Sequence, residues 1–156
     1  MTVAVFDIDG VIADVRHRLH HIEGRHKDWV RFHESAVDDP ALVEGIALVT
    51  DLGAKHEVAW LSGRPEWLRS VTDDWLAKHG LPHGEIHLRA NGDRRPARLF
   101  KLSVLRRLSA RSITAFIDDD AEVVQAAIAA GYPALLADWV PRASSLREAQ
   151  DWLGRA

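Results

Sequence analysis

Val3-Ala4-Val5-Phe6-Asp7-Ile8-Asp9-Gly10-Val11 places a short, β-branched apolar run before two carboxylates and a glycine. The run reads as a buried strand. Side chains alternate along a strand, so Asp7 and Asp9 share a side only while extended geometry persists. Gly10 permits a sharp exit, which leaves both acids at the strand's carboxyl end, where open parallel sheets bind ligands. Two acids crowded there repel unless a cation or a shared proton intervenes. The arrangement suits a metal-dependent nucleophile beside a general acid/base. Its plain alternative is a turn, because Asp and Gly are ordinary turn residues.

Three further segments extend the pattern. Val58-Ala59-Trp60-Leu61-Ser62-Gly63-Arg64-Pro65 is a second apolar strand running into a hydroxyl and a glycine, with Pro65 suited to the first turn of a helix. A hydroxyl and free N–H groups at a helix start seat phosphate oxygens, and Arg64 adds a planar fork for an oxyanion. Lys101 falls inside a helix predicted around Leu99–Leu108; taken alone it is a solvated lysine. Phe116-Ile117-Asp118-Asp119-Asp120 is a strand ending in three acids. These acids are either a solvated helix start or ligands for a hard cation, and oxygen donors without cysteine favour Mg²⁺.

Together these residues resemble the four motifs of the haloacid dehalogenase superfamily of phosphotransferases. Asp7-Ile8-Asp9-Gly10-Val11 matches the first, Ser62 the second, Lys101 the third and Asp118-Asp119 the fourth. The resemblance implies a Rossmann-like three-layer α/β sandwich with a central parallel sheet. It also implies roles. Asp7 is the nucleophile, Asp9 the general acid/base, and Ser62 and Lys101 hold the phosphate oxygens. Mg²⁺ is held by Asp7, the backbone carbonyl of Asp9, and Asp118 and/or Asp119. Val11 stands where many members have Thr.

A narrower likeness is to the phosphatase domain of polynucleotide kinase 3′-phosphatases. That family carries a similar Ser-Gly-Arg and a Gly-Asp-x-Arg before the motif-three lysine, matched here by Gly92-Asp93-Arg94-Arg95. Arg18 falls where the family has a phosphate-contacting arginine. The likeness implies Gly63, Arg64, Arg18 and Arg95 as substrate-binding residues. Two positions depart: Asp120 replaces an Arg after the acid pair, and Ala97 stands where an acid precedes the lysine by four.

Strands are expected near 3–8, 57–61, 85–89, 113–117 and 134–137, alternating with helices, which argues for a parallel sheet. A helix over 65–79 would bury Trp67, Leu68, Val71, Trp75 and Leu76. One over 121–130 would bury Val123, Val124, Ala127 and Ile128. Ser145-x-x-Glu148 is a capping box for a last helix. Residues 1–156 read as one domain, with 14–40 as a small helical lid. His17 and His21, four apart, suit one helix face, where structural or solvated histidines outweigh substrate contact, and substrate contact outweighs a metal pair. Trp29 and Phe32 read as lid core or as a base-stacking pair.

The chain has 156 residues, 47% hydrophobic and 28% charged, with a formal net charge of −3 and no cysteine. This is the profile of an ordinary globular domain. It excludes disulfides and thiol catalysis and contains no apolar run able to span a bilayer. A strand beginning at Thr2 or Val3 leaves no room for a signal peptide, so a cytoplasmic location is expected. No P-loop is present, so a kinase or ligase partner would be a separate chain. Arg94, Arg95, Arg98, Lys101, Arg106, Arg107 and Arg111 form a basic stretch without an acid, which would steer an anion.

The expectation is therefore a Mg²⁺-dependent phosphomonoesterase working through an aspartyl-phosphate on the 3′-phosphate of polynucleotide ends or nucleotides. The alternatives are a small-molecule phosphatase or nucleotidase and, from another class, an inactive binding module of the same fold.

Overall fold

The computed structural model describes residues 2–156. Five strands form one parallel sheet: β1 Val3–Phe6, β2 Glu57–Pro65, β3 Glu85–Arg89, β4 Ile113–Asp118 and β5 Ala134–Leu136. Their order is β3-β2-β1-β4-β5, with every neighbouring pair parallel. The chain winds one way from β1 and then the other. The strand-order reversal therefore falls at β1, where doubly wound sheets open a crevice at the strand ends.

Period-two alternation divides the core into two layers. Val3 and Val5 of β1, Ala59 and Leu61 of β2 and Phe116 of β4 face α4 (Ala97–Leu108) and α5 (Ala121–Ala129). Ala4, Phe6, Val58, Trp60 and Ile117 face the opposite way, onto α2 (Val43–Gly53) and α3 (Arg69–Lys78). The same parity decides where the acids go. Asp7 follows Val3 and Val5, and Asp118 follows Phe116, so both point to the face covered by α4.

Residues 14–40 fold as a 3-10 turn (Arg16–His21), helix α1 (Trp29–Glu34) and a second 3-10 turn (Ser35–Asp38). Val15, Leu19, Ile22 and Phe32 from this segment form a third apolar cluster, closed by Leu146 and Ala149 of α6 (Ser144–Asp151). Phe32 is thus core. A 3-10 turn repeats every three residues, so His17 and His21 diverge. His17 Nε2 meets Asp39 at 2.6 Å and His21 Nε2 meets the Ser35 hydroxyl at 3.4 Å.

Four local expectations are corrected. Pro65 ends β2 in an extended conformation and the helical turn starts at Glu66. Trp67 is therefore 47% exposed rather than core. Ile128 is exposed on the outer side of α5, because Val123, Val124 and Ala127 already cover the sheet. The Ser145–Glu148 capping box does not form: α6 starts at Ser144, and the Ser145 hydroxyl is buried without a partner. Among the described residues no helix is long and apolar enough to cross a membrane.

Gly45 lets α2 lie directly on the loop after β1. A Cβ there would meet the Val11 carbonyl oxygen at 1.9 Å, a backbone atom that cannot swing aside. Alanine is the better helix former by about 1 kcal/mol, yet Gly45→Ala is expected to lower stability by about 1–3 kcal/mol through overpacking. Urea unfolding of the two proteins checks this, and a stabilised variant would contradict the close approach.

Candidate active site

The loop after β1 is wound tightly around one carbonyl. Ile8 O accepts from the N–H groups of Val11, Ile12 and Ala13 at 3.2, 2.9 and 3.0 Å. Gly10 takes φ +79°, and a Cβ on it would meet Asp119 Oδ2 at 2.1 Å. Only glycine fits that turn. The extended geometry does not persist to Asp9, so the two acids of the loop part company, one to each face of the sheet end.

Asp7 joins a buried cluster on the α4 side. The ammonium of Lys101 lies 3.1 Å from Asp7 Oδ2 and 2.6 Å from Asp118 Oδ2. Asp7, Asp118 and Asp119 each present an oxygen within 4.8 Å of the others. Three carboxylates face one ammonium, which leaves a formal deficit of two positive charges. Asp119 Oδ1 is buried without a hydrogen-bond partner, and Asp7 Oδ2 has only its ion pair with Lys101. Burial raises Asp7 well above the usual carboxylate range; Lys101 partly offsets this, while Asp118 and Asp119 add to it. Burial and the adjacent Asp118 push Asp119 up to about 7. Burial would lower Lys101, but Asp118 and Asp7 overcome it and hold the ammonium charged. An all-oxygen donor set, an orphaned oxygen and a deficit of two charges fit one divalent hard cation such as Mg²⁺.

Asp120 takes no part in that cluster. It caps α5 by accepting from the Glu122 N–H at 2.9 Å and pairs with Arg142 at 3.0 Å. The resemblance leads one to expect an arginine at position 120; a guanidinium instead reaches this corner from Arg142, which also lies near enough to Asp119 to favour its charged form. No motif in the sequence pointed to Arg142.

Asp9 belongs to a second buried set, on the α3 side. Arg64 donates to Asp9 Oδ1 through Nε and Nη2 at 3.0 and 2.7 Å. Its other contacts are the Thr72 hydroxyl at 3.1 Å and Asp39 at 3.2 Å. Arg18 reaches Asp9 at 3.0 Å, Asp39 at 2.8 and 2.9 Å, and the Phe32 carbonyl at 3.1 Å. Two guanidiniums and two carboxylates close into a neutral quartet. Burial would raise Asp9, but Arg64 and Arg18 hold it well below the usual carboxylate range.

The expected substrate-binding residues therefore divide. Arg18 and Arg64 are fully buried, and their forks are turned onto Asp9 and Asp39, because two buried carboxylates require counter-charges. Arg95 is not drawn into either cluster; its exposed guanidinium chelates Asp93, at 2.8 Å. Gly63 lies under Ala156, whose backbone would collide with any Cβ there. Ser62 is buried level with the β1 loop, since Phe6 pairs with Trp60, and its hydroxyl accepts from the Arg64 N–H at 3.1 Å. The Asp9 side chain lies outside the carboxylate triad, and only its backbone carbonyl was implied as a ligand. A cavity of about 390 Å³ lined by Asp119, Ala137, Arg142 and Arg147 opens beside the triad.

Residues 1–136 match the family model described as the polynucleotide kinase PNKP phosphatase domain. No curated protein matches the sequence. Among solved structures, a chain of a Pnkp1/Rnl/Hen1 complex superposes with a TM-score of 0.73 at 19% identity, over 86% of this chain and 45% of that one. The class C acid phosphatase of Bacillus anthracis with tungstate bound gives 0.64 at 17%, over 86% and 65%. A haloacid dehalogenase family enzyme of Bacteroides thetaiotaomicron, in complex with magnesium and inorganic phosphate, gives 0.56 at 12%, over 94% and 98%. The chain spans less than half the length of the chains that it matches in the Pnkp1/Rnl/Hen1 complexes.

His33 supplies a pH signature of the quartet's surroundings. Burial, reinforced by Arg18, pushes its imidazole down to about 3. The folded protein keeps it neutral, whereas the unfolded chain takes up a proton below about 6.5. Its contribution is complete above that pH and is lost progressively as pH falls toward 3, at about 1.4 kcal/mol per pH unit. His33→Gln is expected to flatten the stability–pH slope between about pH 6 and 4.5 by one proton, read from urea unfolding. An unchanged slope would mean that His33 titrates normally when folded.

Proposed function

The chain belongs to the family of the polynucleotide kinase PNKP phosphatase domain, and on that premise we propose that this phosphomonoester hydrolase is Mg²⁺-dependent, works through an aspartyl-phosphate on Asp7 and removes 3′-phosphates from polynucleotide ends or nucleotides. The observation that carries the reading is the charge imbalance at Asp7: three buried carboxylates around the single ammonium of Lys101, a set that lacks two positive charges. Asp7, Asp118, Asp119 and the Asp9 carbonyl would hold the cation. It would supply charge stabilisation for the phosphoryl oxygens.

Asp7 attacks phosphorus, and the bond from phosphorus to the ester oxygen breaks. Asp9 gives the departing oxygen its proton and then takes one from the water that splits the aspartyl-phosphate. Arg18 and Arg64 act through Asp9 as positioning residues rather than on the ester. They keep Asp9 a carboxylate in the free protein, the form needed to accept a proton from water. The arriving phosphate, itself an anion, raises the proton affinity of Asp9, which takes up from solvent the proton that it gives in the first step. Ser62 and Lys101 take the non-bridging oxygens, where charge gathers in the transition state. Residues 14–40 act as the lid of a single phosphatase domain. The Pnkp1 neighbours belong to complexes named for Rnl and Hen1 as well, and by that likeness a separate kinase or ligase partner fits this chain.

The test is phosphate release from matched 3′- and 5′-phosphorylated oligonucleotides, mononucleotides and sugar phosphates, with and without Mg²⁺. The 3′-phosphorylated strand is expected to be preferred, with activity lost on chelation. Asp7→Asn should lose at least about a thousandfold in kcat, as removal of a nucleophile does, while remaining folded and no less stable without metal, because it relieves carboxylate repulsion. A preference for sugar phosphates would discard the nucleic-acid substrate and keep the chemistry. Full activity in Asp7→Asn would discard the aspartyl-phosphate.

A further inference from the structure

On the β2–β3 side of the sheet end, away from the Asp119 cavity, lies a second cavity of about 100 Å³. Trp29, His33, Trp67, Arg89, Arg94 and Arg155 line it, and no carboxylate does. Arg89 is occupied, donating to the backbone oxygens of Gly63, Arg95 and Ala156. Arg94 spends one donor on the carbonyl of its own neighbour, Asp93, at 3.2 Å. Arg155 sits 5.5 Å over the Trp29 ring. Neither Arg94 nor Arg155 has an ion pair among the described residues. Asp93, the acid nearest in the chain, is held by Arg95 at 2.8 Å. Burial and the closeness of Arg94 both disfavour the charged form of Arg155. Two guanidiniums thus face one hollow without a counter-charge.

Trp67 adds an aromatic face to this positive hollow. Its backbone N–H is fixed by Asn91 Oδ1 at 3.2 Å, and its ring meets His33 edge-on at a centroid distance of 5.8 Å. Nearly half of the residue remains exposed. The cavity is also close to the reacting groups. Pro65, on its wall, continues β2 three residues beyond Ser62, about 10 Å of extended chain. Stacking surfaces beside cationic side chains are how proteins hold single strands without reading sequence.

We propose that this cavity is the strand subsite. Arg94 and Arg155 take an internal phosphodiester of the single strand whose terminal phosphate enters at Asp7, and Trp67 stacks one of its bases. The assignment rests on the polynucleotide reading above and adds the residues that would distinguish a strand from a small ester. Both arginines and Trp67 lie outside the residues given catalytic, metal or phosphate roles.

The experiment is fluorescence anisotropy of a labelled, unphosphorylated single strand on the full chain, alongside hydrolysis of p-nitrophenyl phosphate and of the same strand carrying a 3′-phosphate. Trp67→Ala and Arg94→Gln are each expected to weaken strand binding about tenfold and leave p-nitrophenyl phosphate turnover unchanged. The double variant Arg106→Gln/Arg107→Gln, on the exposed side of α4, controls for general charge and should bind nearly as the parent does. No strand binding by the parent, or equal binding by the Trp67 and Arg94 variants, overturns the subsite. So does an equal loss in the control. Strand binding that depends on Trp67, without hydrolysis of the 3′-phosphate, would keep the subsite and discard the 3′-phosphatase reading.

Discussion

Lys101 is the contact on which the end of this sheet depends. Three carboxylates meet where β1 and β4 end, and among the described residues only its ammonium stands among them. An unpaired buried charge costs several kcal/mol even after relaxation, so without Lys101 the acids would have to take up protons or move apart. Its placement follows from backbone parity. Odd positions of β1 and even positions of β4 point to α4, and Lys101 lies on the buried stripe of α4 with Ala97, Phe100, Val104 and Leu105. The helix that completes one layer of the core is the same element that delivers the cation.

The other face of the sheet end solves the same problem without a deficit. Asp9 and Asp39 are matched by Arg18 and Arg64, and the set is neutral without any further ion. Breaking a closed set of this kind leaves its remaining partners exposed to the full desolvation penalty. The quartet also ties three parts of the chain together: the β1 loop, the 14–40 segment and the end of β2. α6 completes the enclosure from outside the family match, with Leu146 and Ala149 against the 14–40 segment. Arg142, just before it, spans Asp120 and Asp151.

The sheet was legible in the sequence because β1, the middle of β2 and β4 are short apolar runs that end at a glycine, proline or acid, and that signal is local. The gathering of Asp7, Lys101, Asp118 and Asp119 was legible through their order along the chain and their resemblance to a motif set. The orientation of the arginines was not. Arg64 read as a fork for an oxyanion and Arg18 as a phosphate contact by resemblance, since nothing local reveals that Asp39 will be buried between them. Arg142 carried no signal because its partners, Asp120 and Asp151, meet it only after α6 docks. Trp67 misled for a different reason. Helical spacing counts it as a core residue, but β2 stays extended through Pro65, and the shift in helix start turns the indole outward.

Charge at this end of the molecule is sorted rather than averaged. The quartet is neutral, the Asp7 cluster is formally negative, and the uncompensated positive charge lies at Arg94 and Arg155. The basic stretch read along α4 does not act as one field. Arg111 at its end pairs with Glu57 and Glu85, at the starts of β2 and β3 and so at the opposite end of the strands. From that stretch, Lys101 and the loop before α4 bring basic groups to the strand ends. A phosphate ester approaching the Asp7 cluster meets repulsion from three carboxylates, and no buried arginine is free to counter it. Lys101 and the proposed cation offset that repulsion at the reacting centre, and a ligand with a second phosphate gains further attraction at the Arg94–Arg155 hollow where a lone ester does not. On this reading, discrimination between a nucleic-acid end and a small phosphate follows from the separation between the negative cluster and the positive hollow, with the same chemistry serving both.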